Sequence, residues 1–92
     1  MKAIPENVSH YKSTPTFTEK TVPPAFLAEH NTKEGIWGLL NVESGRLQYV
    51  ITELGDEAEY FLSAGETAVI APTQTHYVKP LGDVAFHVAF HK

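Results

Sequence analysis

Apolar residues recur at every second position along much of this chain. Over residues 84–91, Val and Phe occupy the even positions, while Ala and His alternate at the odd positions. A period of two places the two sets on opposite faces and predicts a β-strand. Residues 46–51 alternate in the same way, and residues 37–42 form a third apolar run. Further strands are predicted at Pro24–His30, Ala58–Leu62, Thr67–Ala71 and His76–Lys79.

Turn residues separate these runs. Glu43-Ser44-Gly45 lies between two of them and predicts a hairpin turn in which Gly45 supplies a positive φ. Similar signals occupy residues 54–56, 63–65, 72–74 and 80–83. Strands of about five residues at intervals of about eight to twelve are typical of a sandwich or barrel. We therefore predict an all-β fold, and no segment has helical periodicity.

The length of 92 residues predicts a single domain that spans residues 1–92. Within it, residues 1–20 carry Pro5, Pro15 and many Ser and Thr, so we expect a peripheral segment with an edge strand. A chain of this size has a modest core, and no cysteine is present to reinforce it. Because small domains often gain burial by pairing, a homodimer is expected.

Charge and composition exclude several classes of function. The net charge is −4 and the seven basic residues are scattered, so nucleic acid is not an expected partner. No apolar run is long enough for a secretory leader or a membrane span, which predicts a cytoplasmic protein without a membrane partner. Without cysteine, any metal must be bound by His, carboxylate, amide or water ligands.

Candidate chemistry begins in the stretch from Gly65 to His76. A Gly turn leads into an apolar strand that ends at Pro72, and His76 opens the next strand. A histidine at the mouth of a barrel is placed to face the interior, and the alternative is a hydrogen-bonded surface His. The Gly-Pro-His order resembles the second motif of the cupin superfamily. The first cupin motif has no counterpart, since its glutamate would fall near Gly38, so a three-His, one-Glu metal site is not expected.

A more specific string covers residues 30–38. It reads His30-Asn31-Thr32-Lys33, then Gly35 and Trp37-Gly38, and it accompanies Tyr11, Lys12, Pro15 and the Pro72-to-His76 turn. This pattern resembles the N-terminal domain of TehB-type tellurite-resistance proteins and is similar to small YeaR-like proteins. The resemblance implies a small cupin-type double-stranded β-helix, a jelly-roll-like barrel, linked to tellurite or oxyanion stress. In TehB this domain is joined to a methyltransferase that uses S-adenosylmethionine. Methyl transfer and a nucleotide cofactor are not expected of the present chain.

The resemblance places the two family histidines at His30 and His76. On the predicted strand, Phe26 and His30 share a face, so His30 would point inward. Two imidazoles completed by a carboxylate and water suit Zn²⁺, Ni²⁺ or Fe²⁺. The alternative is a buried pair bonded to backbone or ligand groups. His87 and Glu34 are possible additional ligands, although His87 falls on the face opposite to the Val/Phe face.

Two aromatic residues, Trp37 and Tyr49, are candidates for lining a ligand cavity, although for Trp37 the sequence favours a core position between Gly35 and Gly38. The expected function is a binding domain that holds a divalent metal or a small anionic ligand such as an oxyanion. One alternative is a metal-dependent cupin enzyme of the dioxygenase or isomerase type. Another is a structural dimerisation module with an empty cavity. Binding is favoured over catalysis because no Gly-x-Ser-x-Gly or phosphate-loop motif is present.

Overall fold

A computed structural model describes residues 3–92 of the chain, of which the six strands form one antiparallel sheet. The sheet order is β1-β6-β3-β4, with β2 also paired to β6 and β5 to β3. The elements are β1 (His10–Ser13), β2 (Phe17–Thr18), a short helix α1 (Pro24–Leu27), β3 (Trp37–Ile51), β4 (Ala58–Ser63), β5 (Thr67–Ile70) and β6 (His76–His91). The prediction of an all-β fold is confirmed.

The core lies on one face of the two long strands, β3 and β6, which pair along most of their length. On β6, Val84, Phe86 and Val88 are buried, and Phe90 packs against them at the edge of the core. This confirms the inward face predicted from alternation. Phe86 is fully buried, and burial of such a side chain contributes roughly 1.5–3 kcal/mol to stability.

The predicted hairpin turn at Glu43-Ser44-Gly45 is wrong, because these residues continue β3. The register against β6 shifts here, between Val42 and Ser44 and again between Gly45 and Leu47. These shifts are β-bulges. They move the buried positions of β3 from even-numbered residues before the bulge to odd-numbered residues after it. Gly45 has the positive φ of 73° that the prediction required, but the chain does not reverse.

The turn predicted at residues 80–83 is also wrong, since β6 runs through it opposite the bulge. The two backbones approach closely at this point. A Cβ atom on Gly45 would collide with the backbone carbonyl of Asp83 and contact Val84. Glycine is therefore required at this position by both its conformation and the available space.

The strand predicted over Pro24–His30 is wrong in its first half. Pro24 opens the helix α1, and the amide of Phe26 donates to the carbonyl of Pro23. Two consecutive prolines supply no N–H for a sheet ladder, and proline at the first helical turn is conformationally favourable. After an extended Ala28, only His30 joins the sheet, as an isolated bridge to His76.

The strands predicted at Ala58–Leu62 and Thr67–Ala71 agree with β4 and β5 to within one residue. The strand predicted at His76–Lys79 forms the start of the longer strand β6. At the periphery, β1 is an edge strand whose four residues are all exposed. The predicted segment 1–20 includes Met1 and Lys2, which lie outside the described residues. Within residues 3–92, the helical segment is far too short to cross a membrane.

Candidate functional site

Two histidines meet where the loop after α1 touches the first residue of β6. The amide of His30 donates to the carbonyl of His76 at 3.0 Å, and the reverse bond is 2.9 Å. Residues paired in this way across an antiparallel bridge project their side chains to the same side. Their ring centroids lie 4.2 Å apart with an interplanar angle of 59°. Backbone pairing thus brings the two imidazoles into contact.

Both rings are fixed by the same kind of hydrogen bond. Nδ1 of His30 lies 3.0 Å from the carbonyl of Ala28, and Nδ1 of His76 lies 2.8 Å from the carbonyl of Gln74. A carbonyl oxygen only accepts, so each Nδ1 carries the proton and donates. In the neutral ring Nε2 then has a free lone pair. Histidines that bind metals are oriented by this type of bond from their other nitrogen.

Burial keeps His76 neutral. Its side chain is 1% exposed, and desolvation lowers the pKa of His76 to about 4. The hydrogen bond to Gln74 opposes this shift, while the neighbouring His30 adds slightly to it. At neutral pH the imidazole of His76 is therefore uncharged, with an Nε2 lone pair that can accept a hydrogen bond.

Aromatic rings pack around the pair. Phe26 stacks on His30 with centroids 5.4 Å apart and an angle of 14°, and Tyr49 meets His76 edge-on at 5.7 Å. The hydroxyl of Tyr49 donates to the carbonyl of Val69 at 3.2 Å. Burial raises the pKa of Tyr49 well above its ordinary value, so it remains a neutral phenol. The rings restrict both imidazoles to their present orientation.

The two histidines line a cavity of about 510 Å³. Its floor is apolar and comes from the buried core: Leu40, Ile70, Val78 and Val88. Its mouth carries three exposed lysines, Lys12, Lys33 and Lys92, together with Tyr11. None of the eleven acidic residues lines it. The cavity is therefore apolar at depth, basic at its mouth, and bordered by two imidazoles.

The other candidate residues lie away from this cavity lining. His87 donates from Nδ1 to Oε2 of Glu43 at 2.7 Å, on the side chain face opposite to the buried Val88. Glu34 is exposed in the loop after His30. Trp37 is half-buried on the outward face of β3, and Tyr49 lies beneath His76 without reaching the cavity wall.

The structure thus brings together His30 and His76, whereas His87 lies on the other face of the sheet and Glu34 is outside the cavity lining. In residues 3–92 there is no cluster of three or more His, Asp or Glu side chains that could hold a metal ion. The donor set suited to a metal is a pair of neutral Nε2 atoms, with the remaining positions left to water or a bound ligand.

Sequence reasoning missed the three lysines as a group. Lys12 and Lys33 belong to the residues that carry the family resemblance, which gave no reason to place them together. Their proximity to Lys92 depends on the pairing of β1 with the end of β6, where Ser9 and Lys92 exchange two backbone hydrogen bonds. No local pattern signals that contact.

Comparison with known proteins identifies relatives over most of the chain. Residues 12–88 match the family described as the TehB-like domain. The chain is 37% identical over 76 residues to the probable S-adenosyl-L-methionine-dependent methyltransferase TehB of Haemophilus influenzae. That alignment covers 79% of this chain but 27% of the relative, so the chain spans about a quarter of that protein's length. It is also 29% identical over 98 residues to the uncharacterised Escherichia coli protein YeaR, covering 98% of this chain and 82% of YeaR.

Solved structures support the same assignment. A crystal structure of a protein from Escherichia coli strain K12 matches with a TM-score of 0.88 at 28% identity, covering 100% of this chain and 97% of that one. A cupin-2 domain protein from Shewanella frigidimarina matches with a TM-score of 0.57 at 16% identity, over 95% of this chain and 72% of its own. The second likeness shows the fold alone, and it confirms the cupin-like β fold that the sequence predicted.

Proposed function

Because the chain belongs to the TehB-like family, we propose that it is a cupin-type binding domain whose cavity holds a divalent metal ion between His30 and His76. Nε2 of each imidazole would bind the ion, and water or a small ligand would fill its other positions. When bound, the metal supplies a Lewis-acidic point to which a ligand in the cavity can coordinate. Zn²⁺, Ni²⁺ and Fe²⁺ are the ions that imidazole ligands suit.

One observation carries this proposal. Both Nδ1 atoms donate to backbone carbonyls, which leaves two Nε2 lone pairs on rings that are 4.2 Å apart. Two histidines that only filled space would need neither the matched Nδ1 hydrogen bonds nor a position on a cavity wall. The lining contains no carboxylate that would act as a general base, and this favours binding over catalysis.

Titration of the tag-free, metal-stripped protein with Zn²⁺ and Ni²⁺ by calorimetry tests the proposal. We expect one ion per chain, and a loss of affinity of about tenfold or more in His30→Ala and in His76→Phe. The phenylalanine keeps a ring of similar size in the buried position, so the fold is retained.

His87→Ala is the matched control, since His87 lies on the same strand but is bonded to Glu43 on the other face. Its metal affinity should equal that of the unsubstituted protein. Weak, substoichiometric binding that is the same in the His30 and His76 variants would contradict the proposal.

The resemblance to TehB-type proteins extends the proposal to a role in resistance to tellurite or related oxyanions. Such a role does not require the oxyanion itself to enter the cavity. Growth of a deletion strain on tellurite, complemented by the unsubstituted protein and by His76→Phe, would test it. The proposal requires the first to restore growth and the second to fail.

A further inference from the structure

We propose that the cavity binds a small amphipathic organic anion, a monocarboxylate whose apolar body lies on the cavity floor and whose carboxylate lies among Lys12, Lys33 and Lys92. This inference rests on the proposed function only in placing a ligand in the same cavity. The chemical class of that ligand follows from the distribution of charge and apolar surface over the cavity walls.

The first argument is the position of the lysines. The protein is acidic, with a net charge of −4, yet three lysines line one opening and no acidic residue lines it. Within residues 3–92 no carboxylate forms an ion pair with any of the three, as His87–Glu43 is the sole salt bridge there. A basic opening in an acidic surface concentrates anions at that point.

Two of these lysines contact aromatic rings without using their hydrogen bonds. The ammonium of Lys92 lies 4.4 Å from the ring centroid of Tyr11, and that of Lys12 lies 5.7 Å from the centroids of Tyr11 and Phe90. Cation–π contacts of this length position the ammonium groups. Their N–H donors therefore remain available to a carboxylate.

The second argument is the floor. Leu40, Ile70 and Val88 line it with hydrocarbon at depth, and the half-buried Ile36 and Phe90 add apolar surface that is still partly exposed. An apolar ligand body gains free energy by covering this surface, in proportion to the area removed from water. The volume of about 510 Å³ lies within the range of pockets that enclose small organic ligands.

The same floor disfavours an inorganic oxyanion at depth. A fully hydrated oxyanion needs several N–H or O–H donors at once to replace its water. The imidazoles direct their Nδ1–H groups to backbone carbonyls, and the hydroxyl of Thr32 already donates to the carbonyls of Ile36 and Ala71. The interior thus offers acceptors and hydrocarbon, whereas the donors are at the mouth.

Calorimetry or amide chemical-shift titration with hexanoate and benzoate tests the inference, using both metal-stripped and Zn²⁺-loaded protein. Three probes dissect the ligand. Acetate has the charge without the body, hexanol has the body without the charge, and tellurite is the inorganic oxyanion. We expect at least one of hexanoate and benzoate to bind about tenfold more tightly than each of the three.

Lys12→Gln/Lys33→Gln/Lys92→Gln should weaken carboxylate binding by about tenfold and reduce its salt dependence, while hexanol binding stays unchanged. The matched control is Lys20→Gln/Arg46→Gln/Lys79→Gln, which removes the same charge from residues outside the lining. It should retain carboxylate binding. Arginine at positions 12, 33 and 92 should restore it.

The inference would be overturned by equal affinity for acetate and for both larger carboxylates, by tellurite binding more tightly than either carboxylate, or by equal losses in the two triple variants. The lysine variants leave His30 and His76 intact, so Zn²⁺ affinity is read separately. If the triple variant at positions 12, 33 and 92 loses carboxylate binding but keeps its Zn²⁺ affinity, the result supports the inference. This holds whether or not His76→Phe abolishes metal binding. The inference is also overturned if neither hexanoate nor benzoate binds to the metal-stripped protein or to the Zn²⁺-loaded protein.

Discussion

His76 and His87 lie on the same strand, yet they differ in exposure, partner and face. His76 is 1% exposed and donates to the backbone carbonyl of Gln74, whereas the His87 side chain is 31% exposed and donates to the Glu43 carboxylate. That bond, together with one from Thr16, lowers the pKa of Glu43. This difference shows which surroundings place an imidazole at the candidate site. The ring of His76 is fixed by a neutral acceptor inside the protein, while the ring of His87 is bonded to a carboxylate on the exposed face.

The largest effect is expected from Gly45→Ala, because the bulge at Gly45 sets which residues of β3 lie beneath His76. The substitution would impose a Cβ on the backbone of Asp83 at a φ of 73°. We expect a loss of about 3 kcal/mol or more in the free energy of unfolding, measured by urea denaturation.

Gly65→Ala is the control for this prediction, since Gly65 has a φ of 86° but no atom within 4 Å of the added Cβ. It should lose only about 1–2 kcal/mol, the cost of the left-handed conformation. Equal losses in the two variants would show that the close approach of β3 and β6 does not matter.

The next effect is the pH dependence of stability that the buried His76 contributes. The pKa of His76 is about 4 in the folded chain against 6.5 as its ordinary value. Between these values the unfolded chain binds more protons, so stability is full above about pH 6.5 and declines as pH falls. The total is roughly 3 kcal/mol by pH 4.

Urea denaturation of metal-stripped protein between pH 7 and pH 5 measures this slope before most carboxylates titrate. His76→Phe should flatten the curve of stability against pH. A slope that persists in His76→Phe would assign the dependence to another group and weaken the contrast between the two histidines.

A smaller loss of stability is expected when the hydroxyl is removed from Tyr49, whose ring packs against His76. Tyr49→Phe removes the hydrogen bond to the carbonyl of Val69 but keeps the edge-on contact. We expect a loss of about 1 kcal/mol by urea denaturation. Tyr60→Phe is the control, because the Tyr60 hydroxyl makes no hydrogen bond within residues 3–92. This substitution should lower the free energy of unfolding much less than Tyr49→Phe. Equal losses would mean that the buried bond contributes nothing.

The smallest effect is expected from Glu43→Gln, which removes the charge next to His87 on the exposed face. The unfolding midpoint should shift less than in Tyr49→Phe, and the shift should vanish at about 1 M salt, where the screening length is about 3 Å. Zn²⁺ affinity should not change. A shift independent of salt would mean that the pair acts through packing rather than charge.

Much of the fold was predictable because the alternation of apolar and polar residues indicates which side chains of a strand are buried, even when its neighbouring strands are unknown. The inward Val84, Phe86 and Val88 follow directly from it. The bulge at residues 43–45 was mistaken for a hairpin because both change the phase of the pattern and both use glycine. The helix at Pro24 was missed because one turn is too short to show a period.

The candidate site was predictable in part. His30 and His76 were singled out, and the structure places their rings in contact, although through a bridge rather than two strands. Metal binding stays a prediction, as does the homodimer. The basic mouth could not be predicted, because its lysines come from the edge strand, a loop and the residue after β6, which only the folded chain brings together.

The edge strand has a consequence for how the cavity fills. Strand β1 supplies Tyr11 and Lys12 to the cavity wall, yet none of its residues is buried and its register is irregular between His10 and Lys12. Little free energy opposes its local detachment, which would open the wall. A molecule that binds only the closed cavity draws the strand onto the sheet by mass action. Amide hydrogen exchange in β1 would then slow in proportion to occupancy, so this exposed edge strand would report the state of the site.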